Sequence, residues 1–218
     1  SIAFRSARSG ANEVWVMSAT GGTPRQLSRF GGPLAGSPRW SPDGSRLVLE
    51  SRLSGNGDIY VMSATGGSPT PVTREPSNEV LPSWSRDGRS IYFASDRTGR
   101  WEIFRTTASA SPPVQLTKGG GFAAFESPDG QFLYYTRQDE TGGIWRRPVI
   151  GAGEAEFVAP LPPNFWGQWA IGKRALYFLE VDPQGRRLIT RFDLASRQKR
   201  TLYQFQQLPV QFDSSMSV

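Results

Sequence analysis

The 218-residue chain is basic, with 25 Lys and Arg against 19 Asp and Glu for a net charge of +6, and only Lys118, Lys173 and Lys199 are lysines. It contains no cysteine and no histidine, which excludes disulfides, thiolate or imidazole metal sites, and nucleophilic catalysis of the Ser-His-Asp or Cys-His kind. Its 24 Gly and 17 Pro beside 7 Trp, 13 Phe and 6 Tyr suit short strands and tight turns around an aromatic core, and no apolar run is long enough to span a membrane.

In chain order, short β-type segments fall at 2–5, 13–17 and 25–27. A Trp-bearing segment at 37–41 follows, then the turn Pro42-Asp43-Gly44. Next come the apolar strand Leu47-Val48-Leu49, the strand Ile59-Tyr60-Val61-Met62 and a last one at 70–73. From Trp84 the series returns: Arg86-Asp87-Gly88, Ile91-Tyr92-Phe93, Glu102-Ile103-Phe104, then 114–117. It returns again from Glu126 with Pro128-Asp129-Gly130, 132–135 and Ile144-Trp145. A fifth round keeps Trp169, 175–179, 188–192 and 201–203, with 171–174 making the turn that Ser-Pro-Asp-Gly makes elsewhere. Val16-Met17-Ser18-Ala19-Thr20-Gly21-Gly22 is repeated unchanged at 61–67.

A period of about 43 residues with four strands per unit predicts an all-β propeller of four-stranded antiparallel blades, five blade-equivalents in one domain. The strands of a unit are labelled A to D from the Trp-bearing one. The chain then opens on strand B, with no secretory leader ahead of it, and 214–218 supplies a last strand A. The units are 1–36 plus 214–218, 37–80, 81–122, 123–165 and 166–213, and pairing of the terminal strands would close the ring. A piece of a longer protein would show the same phase.

The turn Trp40-Ser41-Pro42-Asp43-Gly44, the strand after it and Asp58-Ile59-Tyr60-Val61-Met62 resemble the TolB-like, WD-type propeller repeat of bacteria. The resemblance covers the whole chain and is sharpest over 1–130. It implies that the D–A and B–C loops share one rim, the partner-binding one, in a bacterial protein of the cytoplasm or periplasm. The last third, with Ala175-Leu176-Tyr177-Phe178 and Arg191-Phe192-Asp193-Leu194-Ala195, is similar to the propeller sensor of bacterial winged-helix transcriptional regulators. A similar propeller also caps prolyl-oligopeptidase-like peptidases, which gives the alternative of an accessory domain.

Trp40 and Trp84 are expected to pack between blades rather than line a ligand channel. Asp43, Asp87 and Asp129 each precede a turn glycine (Gly44, Gly88, Gly130), where Asp serves the backbone, so no metal or cofactor is expected. Asp96 and Arg97 read as a loop-clamping pair, and Gly119-Gly120-Gly121-Phe122 as a flexible rim loop. Asp139 and Glu140 are adjacent and, on a strand, would face opposite ways, so no carboxylate pair supports acid–base catalysis. The expected function is a non-catalytic module for a protein or peptide, with no nucleic acid bound by this domain. Its binding residues are predicted on the D–A and B–C rim: Phe30, Glu79, Arg97, Phe122, Trp166 and Gln168. The cations, present in every repeat, show no clustering along the sequence.

Overall fold

The computed structural model describes residues 1–32, 34–137, 142–151, 153–161 and 167–205, and these form nineteen strands and no helix. The first sheet holds β1 (Ile2–Ser6), β2 (Glu13–Met17) and β3 (Arg25–Gln26). The second holds β4 (Ala35–Trp40), β5 (Arg46–Ser51), β6 (Asp58–Ser63) and β7 (Thr70–Pro71). The third holds β8 (Glu79–Trp84), β9 (Ser90–Ser95), β10 (Glu102–Thr107) and β11 (Val114–Gln115). The fourth holds β12 (Phe122–Glu126), β13 (Phe132–Thr136), β14 (Ile144–Pro148) and β15 (Glu156–Ala159). The fifth holds β16 (Trp169–Ile171), β17 (Ala175–Val181), β18 (Arg187–Asp193) and β19 (Lys199–Gln204). Strands neighbour in chain order and every pairing is antiparallel, as propeller blades require. The first sheet has three strands among the described residues, which hold the places of strands B, C and D. The inner strand expected at 214–218 lies outside the described residues.

The apolar cores lie between blades. Leu47, Leu49, Tyr60 and Met62 of the second blade pack on Ala3, Val14, Val16 and Leu27 of the first. Trp84, Ile91, Phe93 and Phe104 of the third pack on Val48, Ile59 and Val72 of the second. Leu133 and Tyr135 of the fourth meet Tyr92, Ala94 and Ile103 of the third, and Trp169, Leu176 and Phe178 of the fifth meet Tyr134, Ile144 and Val158 of the fourth. Strand alternation sends one set of side chains to each neighbour, so the second, third and fourth blades are apolar on both faces. Trp84 is buried and Trp40 half-buried in these cores, as their strand position predicts.

Each of three inner strands is bulged, between Gly36 and Arg39, Val80 and Ser83, and Phe122 and Phe125. Inside each bulge a non-glycine residue is left-handed: Ser37 (φ 50°), Leu81 (φ 50°) and Ala123 (φ 45°). The inner strands accordingly begin at Ala35, Glu79 and Phe122, one or two residues ahead of the unit boundaries drawn at 37, 81 and 123. The bulge interrupts the alternation by which a strand is recognised.

The C–D turns repeat as well. Gly21 and Gly66 take φ of 96° and 108°, but the corresponding residue of the third blade, Ala110, is held at 58°. A left-handed Cβ costs about 1 kcal/mol. Ala110→Gly is therefore expected to raise stability by about 0.5–1 kcal/mol in urea unfolding, whereas Ala19→Gly, at a residue without that φ, should not stabilise.

Candidate functional site

The antiparallel registers Ala35–Ser51 and Ser51–Asp58 set the start of strand A beside the end of B and the start of C. The D–A and B–C loops therefore share one rim. A recurring clasp holds them. The buried acid opening strand C accepts the hydroxyl at the end of strand D: Glu13 from Ser28, Asp58 from Thr73 (3.1 Å) and Glu102 from Thr117 (2.5 Å). Each hydroxyl oxygen also accepts an amide, from Val14 (2.8 Å), Ile59 (2.8 Å) and Ile103 (2.9 Å). Glu13 and Glu102 go on to accept the loop amides of Gly31 (2.8 Å) and Gly120 (3.2 Å). The Gly119–Phe122 stretch, expected to be flexible, is thereby tied down. A Cβ on Gly121 would come within 2.7 Å of Thr117 Oγ1 and 2.8 Å of Ile103 Cγ1, so glycine is needed there for close approach.

Of the six residues predicted for this rim, Glu79 and Arg97 are brought together. The Glu79 side chain is fully buried, and its Oε1 accepts Ser77 Oγ (2.6 Å), Ser95 Oγ (2.8 Å) and Arg97 Nη2 (3.2 Å). Its Oε2 has no partner among the described residues. Arg97 lies over Phe104 at 4.7 Å and Phe93 at 5.8 Å. The expected Asp96–Arg97 clamp is replaced by two bonds of different pairing: Asp96 accepts the backbone and side-chain nitrogens of Asn78, both at 2.8 Å. Phe30 sits edge-on to Tyr60 at 5.3 Å, and Phe122 edge-on to Trp101 at 5.3 Å, both half-buried supports of the loops. Trp166, together with Asp139 and Glu140, lies outside the described residues. Gln168 immediately precedes the inner strand β16, and its carbonyl accepts the Leu179 amide (3.1 Å).

Burial pushes the Glu79 carboxyl above its ordinary value, outweighing the Ser77, Ser95 and Arg97 bonds that pull it down. A group whose folded pKa is raised binds its proton more tightly when folded. Its stabilising contribution is present below about pH 4.5 and lost as pH rises through the folded value. The melting temperature is expected to drift down over that window, and less steeply in Glu79→Gln. Parallel slopes would place the titration elsewhere.

Ser51, the counterpart of Ser95, has a buried hydroxyl without a partner among the described residues. Ala35 stands where the third blade has Glu79, and Leu53 where it has Arg97.

Sequence reading missed the axis. Arg39, Ser83 and Phe125 hold one position, two residues before the turn serine, in three successive inner strands. Arg39 of the second blade lies over Phe125 of the fourth at 4.8 Å, and Phe125 stands edge-on to Trp169 at 4.8 Å. Ser83 Oγ donates to the Ala124 carbonyl (2.5 Å) and Trp84 Nε1 to the Arg39 carbonyl (3.2 Å). Burial lowers the Arg39 guanidinium to about 10, still protonated at neutral pH. Nearer the rim, Glu50 accepts the Leu81 amide (2.7 Å) and the Ser37 hydroxyl (3.1 Å). The signal for Arg39, Ser83 and Phe125 was their shared spacing, four residues ahead of the turn aspartate.

The opposite rim uses its polar groups internally. Ser41, Ser85 and Ser127 each donate to the turn aspartate two residues on (2.5, 2.6 and 2.5 Å) and accept an amide from across the turn. These serine bonds first of all hold Asp43, Asp87 and Asp129 below the usual carboxylate range, Asp43 at about 2. Among the described residues no three acids gather at metal-ligand distance.

Comparison with known proteins agrees with the geometry. TolB from Acinetobacter baumannii is 19% identical with a TM-score of 0.78 over 92% of this chain and 51% of its own. A putative TolB from Agrobacterium tumefaciens is 22% identical with a TM-score of 0.75 over 88% and 74%. A Mycobacterium tuberculosis puromycin-hydrolyzing peptidase matches at 16% and 0.65 over 88% of this chain and 32% of its own. The chain thus spans about half the length of the Acinetobacter protein, and likenesses at these identities speak for the fold alone. No curated protein matches by sequence. The TolB beta propeller domain family matches residues 1–206. The chain belongs to the TolB beta-propeller domain family.

Proposed function

We propose that this propeller is a non-catalytic binding module whose D–A and B–C rim takes a protein or peptide. The observation that carries the reading is the difference between the rims. On one, the hydrogen bonds of the Ser-Pro-Asp-Gly and Ser-Ala-Thr-Gly-Gly turns account for the sequence. On the other, loops of unlike sequence are fixed from below by buried acids and leave their outer side chains to solvent. Function concentrates on loops so held. With neither His nor Cys in the chain, no nucleophile has an imidazole base. A sensory role in a winged-helix regulator is the finer form of this reading and rests on the sequence similarity of the last blades. The peptidase-accessory alternative draws support from a fold likeness only.

The experiment is selection of a random peptide display library on the folded chain, followed by competition with rim variants. Enriched peptides are expected to lose at least about tenfold in affinity to Arg97→Ala with Phe122→Ala, a loss of about 1.4 kcal/mol, and nothing to Thr20→Ala with Thr65→Ala. Equal losses on both faces, or no enriched peptide, would overturn the proposal.

A further inference from the structure

The cations that look evenly spread along the sequence are gathered by the fold. Arg8 and Arg52 lie in B–C loops, Arg29 and Arg74 in D–A loops, and Arg100 and Lys118 complete the set; all six are exposed. The side chains of Arg29, Arg52, Arg74 and Lys118 make no hydrogen bond, ion pair or ring contact among the described residues, whereas Arg100 is paired with Glu102 (2.7 Å) and Arg8 lies over Trp15 (5.0 Å). The acids of the same loops are turned inward or already used. Glu13, Asp58, Glu79 and Glu102 are buried, and Asp96 is bonded to Asn78. Only Glu75 is an exposed acid in these loops among the described residues. The opposite rim mixes signs, with Asp43, Asp87 and Asp129 beside Arg46, Arg86 and Arg89.

Exposed guanidinium groups without an ion-pair partner, of which only Arg52 feels a nearby carboxylate, the buried Glu50, set up a positive potential on one face that draws and orients an anionic partner. Next to Arg52, Leu53 is 53% exposed and offers an apolar contact within the basic field. The aromatics of this rim are not free to receive a base. Phe30, Phe122 and Trp101 are engaged edge-on with neighbours, and Trp15 lies under Arg8, so the stacking platforms that single-stranded nucleic acids use are missing from the described loops.

We propose that the rim takes an extended acidic protein segment, one in which carboxylates alternate with apolar side chains. Alternation puts the acids on one side of an extended chain, toward the arginines, and the apolar residues on the other, where Leu53 can reach one. The inference rests on the rim reading above and adds the chemistry of the partner.

Three labelled probes test it by fluorescence anisotropy on the whole chain: a peptide of about twelve residues alternating Glu and Val, the same peptide with Lys for Glu, and a single-stranded DNA of matching length. The acidic peptide is expected to bind saturably at low salt and to weaken as salt rises, since screening shortens to about 8 Å at physiological ionic strength. The triple variant Arg29→Glu, Arg52→Glu, Arg74→Glu should lose at least about tenfold in affinity, and Arg86→Glu with Arg89→Glu on the other rim should lose none. The three substituted side chains make no hydrogen bond or ion pair among the described residues, so the triple variant is expected to fold, which its melting temperature beside that of the parent chain checks. Failure of the acidic peptide to bind, equal binding of the lysine peptide, or tighter binding of the DNA would each overturn the proposal. If display instead yields neutral peptides that compete at this rim, the rim reading stands and the acidic class falls.

Discussion

Trp84→Ala is expected to cost about 3–5 kcal/mol of folding stability, the range for removing a large aromatic from a packed core. The indole is only 7% exposed and fills the space between the second and third blades against Val48, Ile59, Val72, Ile91 and Phe93. Its N–H donates to the Arg39 carbonyl at 3.2 Å, and the Arg46 guanidinium covers its face at 4.8 Å. Truncation would leave a cavity, an unpaired carbonyl on the inner strand and an uncovered cation together. Trp40→Ala should cost less, because that indole is half-buried and its N–H has no partner among the described residues. Urea unfolding of both variants measures the difference. A loss under about 1 kcal/mol at Trp84 would mean that stability resides within blades rather than between them.

Deleting residues 213–218 is expected to lower the melting temperature by about 4–8 °C, equivalent to roughly 2 kcal/mol in a chain of this size. In four sheets strand B is flanked by an inner strand, whereas β1 pairs only with β2 among the described residues. The third blade shows what such an inner strand supplies. Glu79, opposite Ser95, takes the Ser95 hydroxyl and Arg97. In the first blade Ser6 and Arg8 hold the positions of Ser95 and Arg97, and Arg8 bonds Ser6 at 3.0 Å as Arg97 bonds Ser95 at 3.1 Å. The segment at 213–218 reads Asp-Ser-Ser-Met-Ser-Val. Set against 79–84, it puts Asp213 at the place of Glu79 and Ser217 at that of Ser83. Arg8→Glu should reproduce part of the deletion's loss, and adding Asp213→Arg should restore some of it, a coupling that a double-mutant cycle reads directly. A deletion that leaves the melting temperature unchanged would rule this pairing out.

Architecture was legible because the turn Pro42-Asp43-Gly44 and its repeats are dictated by backbone geometry, which leaves a local and regular trace. The strands after them are continuous apolar runs because both of their faces are buried. The rim was harder to read. Glu79 was singled out as a loop acid among exposed residues, but its carboxylate is turned inward by Ser77 and Ser95, and nothing local in the sequence says so. The clasp of Glu13, Asp58 and Glu102 with Ser28, Thr73 and Thr117 was visible as a second repeat of the same period, hidden by the change between Glu and Asp and between Ser and Thr. Pairing across loops is a long-range fact, and repetition is its only trace in a single sequence.

Because each apolar core is shared by two blades, no blade has an interior of its own. Folding free energy then resides in couplings between neighbours, as in a one-dimensional chain of weakly stable units. Such a chain opens from its ends. Amide exchange should be slowest in β8 to β10, which have a neighbour on either side and lie farthest from both ends, and fastest in β19, whose residues are all exposed. The same arrangement makes the number of blades easy to change over evolution. An added unit brings two faces that already match the existing ones, so duplication lengthens the stack without requiring a new core.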